Sequence, residues 1–264
     1  MGKTRFALNY STHAGDLVTE SKIDPDLWKC PGWQGIIHTA EKTRPVYIHF
    51  EIEVGNGKFS QLDYEKIASF LATTQTPHLN CHLGAPPEMR NGSQRDRAQL
   101  LKAWVADLDR LKKRFPNVAL IAENLPYFPI YPQYTLSSDS KLIGAALKET
   151  GTDLLFDLSH ARISATHLGV ELQAYMEPLP MESLRELHIT GLKHVHGYWH
   201  DHFELVGQDW EFASWAADQI KTGAWRQPEI VAFEYGGVGD VFSWRTDRAL
   251  IEEQVPRLKD LFDF

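Results

Sequence analysis

Short apolar runs alternate along this chain with longer amphipathic stretches. Arg5 to Tyr10 (RFALNY), Val46 to Ile52 (VYIHFEI), Pro77 to Gly84 (PHLNCHLG) and Val118 to Leu125 (VALIAENL) read as strands, being rich in β-branched and aromatic residues. Arg185 to Gly191 (RELHITG), Glu229 to Tyr235 (EIVAFEY) and the run that opens Asp153 to His160 (DLLFDLSH) complete the set. Leu154, Leu155 and Phe156 form a continuous apolar run, the pattern of a strand covered on both faces. Helical periodicity marks the segments between. Tyr64, Ile67, Ala68 and Leu71 share one stripe of a helix over Asp63 to Thr73. Leu100, Leu101, Trp104, Leu108 and Leu111 do the same over Ala98 to Phe115, which Pro116-Asn117 stops. Trp33 to Lys42, Ser140 to Thr150 (closed by Gly151), Asp209 to Thr222 (capped by Asp209) and Arg248 to Phe262 also read as helices. The stretch from Tyr10 to about Lys29 reads as irregular.

Strands that alternate with helices build a parallel sheet with crossover connections. Eight such units close into a (β/α)8 TIM barrel. Seven strands are clear, and the eighth is expected between Gly191 and Phe203, the histidine-rich segment. No glycine-rich phosphate loop follows the first strand, which argues against a doubly wound dinucleotide fold. With no repeat, low-complexity tract or linker, residues 1–264 read as one domain.

A net charge of −8 over 264 residues and the lack of a Lys/Arg cluster make nucleic acid a poor partner. Two cysteines, Cys30 and Cys81, are too few for a disulfide framework, so a reducing cytoplasm is expected. MGKTRFALNYS has no long apolar run, and no run of about 18 apolar residues occurs anywhere. Neither a signal peptide nor a membrane span is therefore expected.

The candidate chemistry gathers where strands end. His49, His82, Glu123, Asp157 with His160, His188, the cluster His200-Asp201-His202 and Glu234 all fall at or near strand termini. In a barrel these ends converge on one mouth. So many imidazoles and carboxylates in one pocket call for a cation. Mixed His and carboxylate donors suit iron, zinc or manganese. The set exceeds what one ion of about four to six coordination takes, so two or three ions are expected, with Glu123 or Glu234 bridging. The bland reading of Asp157 is a cap on the helix that follows. His200 and Asp201 alternate faces in an extended segment, so one of the two would ligate. His194 and His196 read as loop or substrate-contacting residues, and His13, His38, His78 and His167 as structural or surface residues.

The order of these residues resembles that of the xylose isomerase-like barrels, including endonuclease IV. The nearer likeness is to the multinuclear non-haem iron-dependent oxidases, among them the methanobactin-biosynthesis oxidases. It rests on HLG at His82, EN at Glu123-Asn124, TGTDLLFDLSHARISATHLG at Thr150 to Gly169 and ELHITG at Glu186 to Gly191. DHFELVGQDW from Asp201 and FEYGG from Phe233 complete it, and the first 44 residues carry little. The resemblance implies two or three irons and dioxygen. It also implies a peptide substrate modified at or near cysteine, and a partner protein that presents the peptide. Ligands would be His49, His82, Glu123, Asp157, His160, His188, His202 and Glu234, with Asn124 beside Glu123. The family's Asp-x-His pattern is here His200-Asp201-His202, with His200 at the Asp position. The superfamily also implies an alternative, a divalent-metal sugar or sugar-phosphate isomerase or epimerase acting on a small molecule. It would hold one ion through Glu123, Asp157, His188 and Glu234, and its proton transfers would fall to the carboxylates. A phosphodiesterase of the endonuclease IV kind is permitted by the order and opposed by the charge.

Overall fold

The computed structural model describes residues 2–89, 92–131 and 134–263. In chain order its strands are β1 (Arg5–Asn9), β2 (Leu27–Cys30), β3 (Val46–Ile48), β4 (Glu53–Val54), β5 (His78–Leu83), β6 (Ala119–Glu123), β7 (Asp153–Asp157), β8 (Leu184–Ile189), β9 (Gly191–Val195), β10 (Tyr198–Phe203) and β11 (Ile230–Phe233). The main helices are α1 (Thr12–Thr19), α2 (Gln34–Ala40), α3 (Tyr64–Thr73), α4 (Gln94–Arg114), α5 (Ser140–Thr150), α6 (Leu158–Leu168), α7 (Gln208–Lys221) and α8 (Arg248–Leu261). The chain divides into two compact units, one of Met1–His49, Thr73–Thr76 and Arg185–Phe264, the other of Phe50–Ala72 and Pro77–Leu184.

In the first unit the strands run in the order β3-β2-β1-β11-β8, every pair parallel. β2, β3 and β11 are buried along their whole length, as strands covered on both faces must be. Ala7, Leu27, Tyr47, Ile230 and Ala232 pack together as one core cluster. In the second unit the order is β7-β6-β5-β4, again all parallel. α4 begins with Ser93, whose hydroxyl accepts from the Asp96 N–H, and ends in Lys112, Lys113 and Arg114, cations suited to the negative end of the helix dipole. Its stripe Leu100, Trp104, Leu108 and Leu111 is fully buried. Trp104 donates its indole N–H to the Gly84 carbonyl at 2.7 Å. A side chain on Gly55, at φ +79°, would strike that indole ring.

Several expectations need correction. The eighth barrel strand is not the histidine-rich segment but β2, Leu27–Cys30, inside the stretch that reads as irregular. Lys29 interrupts the apolar run there, so the sequence does not look like a buried strand. The same stretch holds α1, capped by Ser11 and carrying His13. The segment from Gly191 is instead an antiparallel hairpin of β9 and β10. His196 and Gly197 turn it, both with positive φ, the geometry that lets a two-residue loop match the strand twist. The strand read over Val46 to Ile52 stops at Ile48, and Glu51 beyond it is exposed. Asp209 lies inside α7, whose cap is Gly207, and its carboxylate instead accepts from the Val206 N–H at 2.9 Å. No helix among the described residues is long and apolar enough to cross a membrane.

Candidate metal centre

In the second unit β6 ends in Glu123 and β7 ends in Asp157. The two strands are paired, so their last residues emerge side by side. Asp157 also caps α6, its Oδ1 accepting from the His160 N–H at 2.8 Å. The bland reading of Asp157 as a cap is therefore true, and it does not exclude the other, because a carboxylate has two oxygens. Oδ2 lies 3.6 Å from His160 Nε2. The three-residue spacing of Asp157 and His160 brings the imidazole back over its own cap, one turn into the helix.

Asn124 explains the EN pair. Its side-chain amide accepts from the Asp157 N–H at 2.8 Å and donates to the Asp157 carbonyl at 2.9 Å. This two-bond clamp is wholly buried and locks the end of β6 to the end of β7. The Asn124 carbonyl in turn lies 2.9 Å from His160 Nδ1. A hydrogen on Nδ1 donated to that carbonyl puts the Nε2 lone pair on the side of Asp157, the arrangement of a metal-binding histidine steadied by a backbone acceptor. Glu123 Oε1 is 3.3 Å from His160 Nδ1, and Oε2 is 3.1 Å from His82 Nε2. Glu123, Asp157 and His160 are all buried and offer donor atoms within 4.8 Å of one another. Two carboxylates and an imidazole in such a space fit a divalent or trivalent ion.

The first unit holds a second cluster of similar composition. Glu186 and His188 stand two apart on β8 and so share a face. His188 Nε2 is 2.7 Å from Glu186 Oε1, which also accepts from the Tyr47 hydroxyl at 2.9 Å. Burial and then the Glu186 charge push the Tyr47 phenol well above its ordinary value. The His49 ring lies 5.4 Å from that of His188, and His49, Glu186 and His188 can offer donors within 4.8 Å. Into this cluster comes Lys29 from β2, 4% exposed. Its ammonium bonds Glu234, just past β11, and reaches His188 Nε2 at 3.1 Å and Nδ1 at 3.5 Å. Nε2 can donate to Glu186 or accept from Lys29, not both. Nε2 sits between the Glu186 carboxylate and the ammonium, and Nδ1 lies 3.4 Å from Glu234 Oε2.

The hairpin residues are placed differently. His194 and His196 are exposed, whereas His200 and His202 are half-buried. A bulge between His200 and Phe203 breaks the strand alternation, and His202 adopts φ 60°. The His202 ring packs 4.4 Å from Phe242, with Nδ1 3.5 Å from the Asn9 amide. Among the described residues neither His200 nor His202 joins a group of three metal donors. Sequence reading missed Lys29, Glu186 and Tyr47. Glu186 had a signal, being two residues from His188 on one strand. Lys29 had none, since a lysine in a short run reads as exposed. Cys30 and Cys81 are buried free thiols, both pushed up by burial.

Residues 96–223 match the family model of the RiPP precursor modification enzymes MbnB/TglH/ChrH. A UPF0276 protein of Paraburkholderia phytofirmans is 38% identical over 72 residues, 27% of this chain and 23% of that protein. A second, from Acaryochloris marina, is 23% identical over 145 residues, 54% of this chain and 47% of its own length. The chain thus spans less than half of either curated relative. Among solved structures, D-psicose 3-epimerase with D-fructose superposes at a TM-score of 0.62, 11% identical and covering 97% of both chains. A xylose isomerase-like TIM barrel/4-hydroxyphenylpyruvate dioxygenase fusion protein gives 0.59 at 10% identity, over 97% of this chain and 42% of that one. The matched segment contains Glu123, Asn124, Asp157, His160, Glu186 and His188. The chain accordingly shares its fold with these TIM-barrel structures, and its residues 96–223 match the MbnB/TglH/ChrH family model.

Proposed function

We propose that this protein is a metal-dependent enzyme, a non-haem iron oxidase that uses dioxygen to modify a peptide at or near cysteine. The observation that supports it is the buried group Glu123, Asp157 and His160, built inside the segment that matches a peptide-modifying family. These three residues would hold an ion, with His82 beside Glu123. Iron bound there supplies one-electron chemistry that no side chain of the chain offers. The protein's own part is positional. Asn124 fixes Asp157 through the backbone and fixes the His160 ring through its carbonyl, so the donors need no rearrangement when the ion arrives. Burial of Glu123 and Asp157 keeps bulk water from the carboxylates. His49, His200 and His202 are the donors proposed for any further ion.

The test is to count metals by plasma mass spectrometry on protein purified anaerobically without chelator, and to follow dioxygen uptake on adding cysteine-containing peptides. Iron that disappears in Glu123→Ala, with peptide-dependent uptake, is the expected result. A single zinc, manganese or magnesium with turnover of sugars or sugar phosphates would replace this reading with the isomerase or epimerase.

A further inference from the structure

The first unit combines imidazole and carboxylate donors with an ammonium group that a metal site does not need. Lys29 lies on β2 between β1 and β3 and is 4% exposed. A buried lysine is costly unless its charge is met. Here it is met by Glu234 and by the His188 ring, groups that would otherwise bind an ion. Glu186 is turned the other way, taken by His188 Nε2 and the Tyr47 hydroxyl. The ring of His188 is thereby held against the ammonium, its nitrogens 3.1 and 3.5 Å from Lys29 Nζ. One positive charge already sits between His188 and Glu234, and a metal cation placed there would meet it at contact distance.

We propose that Lys29 stands in for a metal ion: its ammonium fills the cation position between His188 and Glu234, so that this pair binds no metal in the native chain. The lysine is a positioning residue. It holds Glu234 and His188 in the geometry that an ion would impose, and it lowers the number of ions the strand ends can take. This rests on the proposed metal function only in that ions are expected at the other donors.

The experiment is anaerobic loading with ferrous iron, counted per chain, on the unaltered protein and on Lys29→Ala and Lys29→Gln. Glutamine keeps a hydrogen-bond donor for Glu234 and guards against a variant that fails to fold, which a far-UV circular dichroism melt checks. The expected result is a gain of one iron per chain in Lys29→Ala, lost again when His188→Ala is added. A merely structural lysine would not add an ion when removed. The inference is overturned if folded Lys29→Ala and Lys29→Gln bind the same number of ions as the parent, or fewer. Failure of the functional reading looks different: the parent chain itself would bind none, whatever Lys29 does.

Discussion

Two clusters of buried histidine and glutamate, each on parallel strands, solve the same electrostatic problem in opposite ways. In the second unit Glu123 and Asp157 face the imidazoles of His82 and His160. In the first unit Glu234 faces the ammonium of Lys29. Residue types alone do not separate the two. What separates them is one position on a neighbouring strand, where a lysine brings a covalently attached cation. A carboxylate cluster at strand ends implies a positive charge, and the adjacent strands decide whether the chain or the solution provides it.

The comparison can be broken most severely at Glu123. Glu123→Ala is expected to remove bound metal at least tenfold in affinity while leaving the fold, because the residue ends a strand and carries no backbone hydrogen bond of the clamp. Metal titration followed by a melt reads both. Glu234→Gln should act on the other cluster with the opposite signature. It leaves Lys29 buried beside a neutral amide, and breaking a buried pair costs about 3 kcal/mol. Urea unfolding of metal-free protein reads this, and a loss below about 1 kcal/mol would contradict the pairing.

Asp157 sharpens the comparison because it serves two purposes. Asp157→Asn keeps an oxygen for the His160 N–H, so the cap should survive while metal is lost. Asp157→Ala should lose metal and a further ~1 kcal/mol of stability with the cap. Equal unfolding midpoints for the two variants would remove the capping role. At neutral pH the smallest effect on stability comes from the thiols. Burial raises Cys30 and Cys81 in the folded state above the ordinary value of 9.0. The unfolded chain therefore releases protons from both before the folded chain does. Stability is intact below pH 9 and falls above it, by up to about 1.4 kcal/mol per pH unit for each thiol. Thiol titration with a disulfide reagent at neutral pH should show neither reacting until the protein unfolds.

Legibility in the sequence follows the same division. β6, β7 and β11 were readable because their apolar runs are continuous and end at a single carboxylate, and β8 because Leu187, His188 and Ile189 follow a strand pattern closed by Gly191. Glu123, Asp157 and His160 could be singled out for that reason, although only the structure shows that Asp157 is cap and candidate ligand together. β2 was unreadable because Lys29 breaks its run, and the side chain that hides the strand is the one that fills the first unit's cluster. The hairpin was misread because histidine-glycine is not a usual turn pair, and its polar strands look like a loop rich in ligands. Asn124 was visible beside Glu123, but its clamp on Asp157 joins residues 33 apart and needs the strand pairing to be known.

The most direct test of the central claim is an anomalous diffraction map, recorded at the iron edge from crystals grown anaerobically with ferrous iron. The account predicts a peak bound by Glu123, Asp157 and His160, and none between His188 and Glu234 while Lys29 is present. A map with no peak at Glu123, Asp157 and His160 would contradict it.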